Sequence, residues 1–157
     1  MKKFRGLYDA TLDGKGRMVL PAPVRKMLPE DFDKTFMILE GLDGNLRLYM
    51  RSTWEPEADR IDNLPDGDNK LRQYKFMFLS ANEIELDTQD RISIPKLLQD
   101  CASIKKEIVI QGWGDHFLLW DKEAYNNYRT KSSENYSDNA TFVLHNYPYK
   151  DKEVNHA

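Results

Sequence analysis

The chain has a single cysteine, Cys101, among its 157 residues. No intrachain disulfide can form, and a zinc site with three or four cysteine ligands cannot be assembled within one chain. That usage fits a reducing, cytoplasmic compartment. Long apolar runs are missing as well. Nothing approaches the ~18 uninterrupted apolar residues of a membrane-spanning helix. Lys2, Lys3 and Arg5 open the sequence, but no apolar stretch follows them, so no secretory signal is read and no membrane partner is expected. Catalytic signatures are scarce. Gly14-Lys15-Gly16 lacks the spaced upstream glycine and the Ser or Thr after lysine that a phosphate loop needs. There is no His-Glu-x-x-His and no Gly-x-Ser-x-Gly. His116 falls in a predicted turn, where a surface position is expected, and His145 and His156 fall near the C-terminus. Cys101, at the end of a short amphipathic helix, reads as a small buried hydrophobe. No enzymatic activity, cofactor or metal is expected.

What remains is ordinary globular material. The chain is 40% hydrophobic, 11% aromatic and 31% charged, which excludes collagenous, low-complexity and globally disordered classes. Its length suits one compact domain or two very small units. The net charge of −3 argues weakly against nucleic acid, but its distribution is uneven. Residues 1–28 hold Lys2, Lys3, Arg5, Lys15, Arg17, Arg25 and Lys26 against Asp9 and Asp13 alone, a local charge of +5 that leaves −8 for the rest. A Debye length of about 8 Å screens distant charge, so an acidic protein can still present a basic face.

The sequence also repeats itself. Leu12-Asp13-Gly14-Lys15-Gly16-Arg17-Met18-Val19-Leu20-Pro21 aligns at an offset of 74 with Leu86-Asp87-Thr88-Gln89-Asp90-Arg91-Ile92-Ser93-Ile94-Pro95. Met37-Ile38-Leu39-Glu40-Gly41 aligns at an offset of 71 with Ile108-Val109-Ile110-Gln111-Gly112, and Leu46–Tyr49 then faces Phe117–Trp120. Two copies of one unit follow, 4–64 and 81–131, joined by a linker turn and helix over 65–80. Each copy reads as a strand into Asp-x-x-x-Arg, a second strand, and a short helix begun by proline. A hairpin with a glycine-rich turn comes next, then a helix. The hairpin arms are predicted at Thr35–Glu40 and Leu46–Met50, and again at Glu107–Gln111 and Phe117–Trp120. Ser52-Thr53-Trp54-Glu55 has capping-box spacing, and Trp54, Ala58 and Ile61 share one helical face. Helix Asn69–Leu79 carries Leu71, Tyr74 and Phe78 on one stripe. The Ser/Asn/Asp-rich segment 132–157 is predicted to be irregular.

The Asp-x-x-x-Arg turn supports two readings. In one, the carboxylate accepts loop N–H groups and the arginine returns to pair with it, which is purely structural. In the other, Arg17 and Lys15 project toward phosphate or a guanine edge. Both can hold together.

Phe4-Arg5-Gly6 leading to Thr11-Leu12-Asp13-Gly14-Lys15-Gly16-Arg17, then Leu20-Pro21, a second Asp-x-x-x-Arg with Ile94-Pro95, and finally Gly112-Trp113-Gly114-Asp115-His116-Phe117 with Trp120, resembles the MraZ family over about residues 3–131. These are bacterial transcriptional regulators related to the AbrB/SpoVT swapped-hairpin DNA-binding proteins. The resemblance implies a mainly β fold with short α-helices (α+β). Tandem swapped-hairpin units would form a pseudo-twofold β-barrel flanked by helices. It also implies a ring-shaped homo-oligomer that is cytoplasmic and nucleoid-associated. Such a ring would bind short direct repeats of double-stranded DNA in the promoter of the division and cell-wall gene cluster that includes its own gene. The DNA-contact candidates are Lys15, Arg17 and Arg91, with Lys3 and Arg5 of the basic N-terminal segment. Asp13, Asp87, Gly14 and Gly16 are expected to shape the loops. The second loop departs from the family pattern, with Asp90 where glycine is usual and Gln89 in place of the first copy's lysine. Asp90 beside Arg91 should repel phosphate, so the first copy is expected to dominate DNA contact. The rival expectation is an assembly protein that keeps the barrel but not the basic surface.

Overall fold

The computed structural model describes residues 3–150; Lys2 and His156 fall outside them. The first copy comprises β1 (Leu7–Thr11), β2 (Arg17–Val19), α1 (Ala22–Met27), β3 (Thr35–Glu40), β4 (Leu46–Met50) and α2 (Arg51–Asp62). Helix α3 (Asn69–Leu79) leads into the second copy: β5 (Asn82–Glu85), β6 (Arg91–Ser93), α4 (Lys96–Cys101), β7 (Glu107–Gly112), β8 (Phe117–Asp121) and α5 (Lys122–Glu134). A last helix, α6, covers Tyr136–Asn146. The chain divides into two compact units, the first ending at Tyr125 and the second starting at Asn126.

Six strands form one antiparallel sheet in the order β1-β7-β8-β4-β3-β5, and β2 pairs with β6 in a separate two-stranded ribbon. The copies exchange strands. β1 of the first pairs with β7 of the second, and β5 of the second pairs with β3 of the first. The register reveals a pseudo-twofold axis through two residue pairs, Met18 opposite Ile92 and Arg47 opposite Leu118. It relates the pair Arg17–Ser93 to Arg91–Val19, and Leu46–Leu119 to Leu48–Phe117. Among the described residues the strand pairings give an open sheet and a separate ribbon, not the closed barrel that the resemblance implies. The six-stranded sheet and the ribbon share one core, in which Met18, Leu20, Ile92 and Ile94 pack with Ile38, Leu48, Ile110 and Leu119.

The hairpin strands β3, β4, β7 and β8 are apolar on both faces because both faces are covered. One face joins the shared core. The other is capped by α2 and α3, where Ala58, Ile61 and Phe78 pack on Met37, Leu39 and Tyr49. Over the second hairpin, Ala124 and Tyr125 pack on Val109, Leu118 and Trp120. Gly112 admits no side chain: a methyl there would run into the backbone of Phe4 and Arg5, which crosses the β7–β8 turn. That crossing is held by Phe4 N–H to the Gly114 carbonyl at 2.7 Å and by Phe4 stacked on Phe117 at 4.2 Å.

Four further expectations are corrected. The capping box does not form: β4 runs straight into α2, so Ser52 and Thr53 lie inside the helix and no side chain caps it. Segment 132–157 is not irregular over its described part, since α5 continues to Glu134 and α6 follows. Ser132 and Thr141 there bond the carbonyls four residues back, so their hydroxyls are satisfied within the helices instead of competing with them. Cys101 is exposed, because Leu98 and Ala102 take the buried side of that turn. His116 is buried, stacked on Tyr49 at 4.5 Å with Nδ1 2.7 Å from Asp115 Oδ1, and burial pushes its pKa down.

Candidate nucleic-acid interface

The two Asp-x-x-x-Arg loops are the same structure built twice. In the first, Gly16 N–H donates to the Asp13 carbonyl at 3.1 Å and Asp13 N–H to the Arg17 carbonyl at 2.8 Å. In the second, Asp90 N–H donates to the Asp87 carbonyl at 3.0 Å and Asp87 N–H to the Arg91 carbonyl at 2.9 Å. Each is a short turn followed by one residue in the left-handed region, the design of a three-residue hairpin loop. That residue is Gly16 at φ 76° in one copy and Asp90 at φ 61° in the other. Aspartate is among the few non-glycine residues that tolerate this region, so the second turn keeps its shape without glycine.

Both structural bonds of the motif are made. Asp13 Oδ1 accepts the backbone N–H groups of Lys15 and Arg17, and Oδ2 accepts Arg17 Nε, all at 2.9 Å. Asp87 treats Gln89 and Arg91 identically, again at 2.9 Å. The backbone N–H of the arginine, more than its side chain, holds each carboxyl below the usual carboxylate range. Each arginine is thereby gripped at Nε. Its two Nη nitrogens make no hydrogen bond among the described residues, so they form a pre-oriented fork suited to a phosphate or a guanine edge. The structural and the functional readings of the motif are compatible in this geometry.

The ribbon brings the two arginines together. Met18 and Ile92 point into the core and are fully buried. By strand alternation Arg17, Val19, Arg91 and Ser93 share the opposite, outward face. Arg17 stands opposite Ser93 and Arg91 opposite Val19, which makes the arginines diagonal neighbours with Cα atoms about 7–8 Å apart. Lys15 is exposed at the tip of the first loop. Lys3 and Arg5 are exposed but not brought to this face. They sit beside the β7–β8 turn, where Leu7 pairs with Gln111, whereas Asp13 follows the other end of β1, where Thr11 pairs with Glu107. The four intervening strand steps amount to about 13 Å.

The copies differ in how the next helix meets the loop. Arg25 of α1 donates Nη1 to the Leu20 carbonyl, and its Nε lies 3.5 Å from Asp90 Oδ2. At the equivalent place Gln99 of α4 donates to the Ile94 carbonyl at 2.8 Å and lies over Gly16. Backbone bonds cross between the copies beside them, from Leu20 N–H to the Asp90 carbonyl and from Ile94 N–H to the Gly16 carbonyl, both at 2.9 Å. The negative charge of Asp90 is therefore countered by the first copy's Arg25 instead of standing bare beside Arg91. Sequence reasoning missed Arg25, although the signal was present. At an offset of 74 Gly16 faces Asp90 and Arg25 faces Gln99, a charge gained in one copy and its counter-charge in the other.

Strand-swapped tandem copies with paired Asp-x-x-x-Arg loops at a shared ribbon define a swapped-hairpin, two-copy protein. Comparison with known proteins agrees. Residues 4–73 and 77–144 match the family described as "MraZ protein, putative antitoxin-like". The Transcriptional regulator MraZ of Leuconostoc citreum (strain KM20) is 36% identical over 136 residues, which span 86% of this chain and 92% of that protein. The chain belongs to the MraZ family. The second match extends to residue 144, beyond residue 131 and through most of α6.

Proposed function

We propose that this protein is a sequence-specific DNA-binding transcriptional regulator. Its subunits would form a ring-shaped homo-oligomer on short direct repeats in the promoter of the division and cell-wall gene cluster that includes its own gene, in the nucleoid-associated cytoplasm. The observation that carries this reading is the pair of Nε-anchored arginines, Arg17 and Arg91, on the outward face of the β2–β6 ribbon. A two-stranded ribbon fits the major groove of B-DNA, and an arginine fork can bond guanine O6 and N7 together. Lys15 supplies a point charge for phosphate. Lys3 and Arg5, at the far end of β1 from the ribbon, are proposed to contact DNA away from the arginine pair. The name of the Leuconostoc relative, a transcriptional regulator, supports the same reading.

The test is binding of the purified protein to the DNA upstream of its own gene and to a scrambled duplex of equal composition, across a salt series. The expected result is tighter binding to the upstream DNA, with log affinity falling linearly against log salt. Equal affinity for the two duplexes at every salt concentration overturns the proposal.

A further inference from the structure

The ribbon's outward face is twofold only in its backbone. At one end Arg17 stands opposite Ser93, with Lys15 in the adjoining loop; at the other Arg91 stands opposite Val19, with Gln89 and Asp90 adjoining. Val19 is the ribbon's one outward apolar side chain and is 51% exposed. Its neighbours along the strand, Met18 and Leu20, are fully buried. Cross-strand packing accounts for it only in part, since its partner Arg91 is tied at Nε to Asp87 of the loop that precedes its strand. An exposed β-branched side chain between two arginine forks is well placed for one chemical feature of the major groove that arginine cannot read, the thymine C5-methyl group. Ser93, at the pseudo-equivalent position, offers a hydroxyl that bonds donors and acceptors alike and selects weakly.

Resting on the DNA-binding reading above, we infer that Val19 is a specificity-determining residue that packs against a thymine methyl at one end of the subunit's site, while the Ser93 end carries no such preference. A subunit with unlike ends enters the groove in a single polarity. Its binding site is therefore directional, although the backbone that reads it is nearly symmetric.

The experiment starts from selection of tight binders out of a randomised duplex library with the full chain. Each thymine of the selected duplex is then replaced in turn by deoxyuridine, which lacks only the methyl. One replacement is expected to weaken the wild type about fourfold, the loss that corresponds to one buried carbon group. The same replacement should leave Val19→Ser unaffected. Ser93→Val should gain a thymine preference at the pseudo-equivalent position. A selected duplex with no deoxyuridine-sensitive thymine overturns the inference while leaving DNA recognition standing. So does an undiminished sensitivity in Val19→Ser. A library that yields no enriched sequence overturns the functional reading and this inference with it. The deoxyuridine series with wild-type protein does not depend on any variant folding.

Discussion

At the scale of single residues, the loop carboxylates and arginines have separable jobs. Asp13 accepts three hydrogen bonds, two of them from backbone, so its removal undoes the turn. Arg17 contributes one side-chain bond, and its loss leaves both backbone bonds in place. Asp13→Ala should therefore lower the melting temperature and DNA affinity together. Arg17→Ala should leave melting nearly unchanged and weaken specific binding by about 1–3 kcal/mol for each guanine that the side chain no longer reaches. Thermal melts beside binding isotherms check this; unfolding by Arg17→Ala but not by Asp13→Ala would refute the division. The carboxyls also give a pH signature. Their folded pKa values lie below the ordinary value, so the stability they confer is complete above that value and is lost as the pH falls through the lowered one. In melts from pH 7 down to pH 3, Asp13→Asn should show a shallower loss than wild type, because its amide can accept N–H groups but does not titrate. Identical slopes would mean that the carboxylate is not held in the loop.

At the scale of elements, the two turns make a natural experiment on the left-handed position. Gly16→Ala places a Cβ at φ 76° and 2.6 Å from Gln99 Nε2, and should destabilise the fold by about 1–2 kcal/mol. Asp90→Gly relieves the same backbone restriction but breaks a half-exposed ion pair with Arg25, which is worth little. It should melt no lower than wild type, and it should bind DNA more tightly because a negative charge leaves the ribbon. Weaker binding by Asp90→Gly would show that Arg25 serves DNA recognition only through Asp90. The strands, hairpins and short helices were legible in the sequence because each repeats a pattern with a local cause: alternation in Ile84 and Leu86, proline at the start of α1 and α4, glycines in the hairpin turns. The exchange of β1 and β5 between copies was not readable from those patterns and rested on family resemblance, since strand pairing is a long-range property. The anchoring of Arg17 by Asp13 was legible from spacing alone. The burial of His116 was not, because it depends on Tyr49, which is far away in sequence. Helix α6 was missed for a composition of Ser, Asn and Asp that resembles a loop. It contributes no buried side chain, so a chain ending at Asn135 should keep the wild-type melting temperature and DNA affinity. Loss of soluble protein on that truncation would show that the Tyr136, Phe142 and Tyr147 side chains pack on a core.

At the scale of the whole molecule, the subunit leaves large apolar side chains in water. Leu42, Phe76 and Leu97 are each more than 70% exposed, and Trp113 is 58% exposed. Single exposed apolar residues are common, but this many on distinct elements of a small chain favour association with further copies. The protein should be a homo-oligomer larger than a dimer, and a monomer by light scattering at micromolar concentration would overturn that. Such an assembly would also resolve an energetic difficulty. One subunit offers two arginine forks and one loop lysine, Arg25 is engaged with Asp90, and a chain of net charge −3 gains little from general attraction to DNA. If neighbouring subunits engage successive repeats, each later engagement would be intramolecular, and affinity would rise by roughly 10²–10⁴ without any new kind of interaction. A duplex with two correctly spaced repeats should therefore bind far more tightly than one with a single repeat. Its salt dependence should be steeper, because counterions are released at both sites. Moving the repeats apart by half a helical turn should abolish the gain, since the second site then faces away from the next subunit. If one-repeat and two-repeat duplexes bind alike, recognition belongs to the single subunit, and oligomerisation serves some purpose other than avidity.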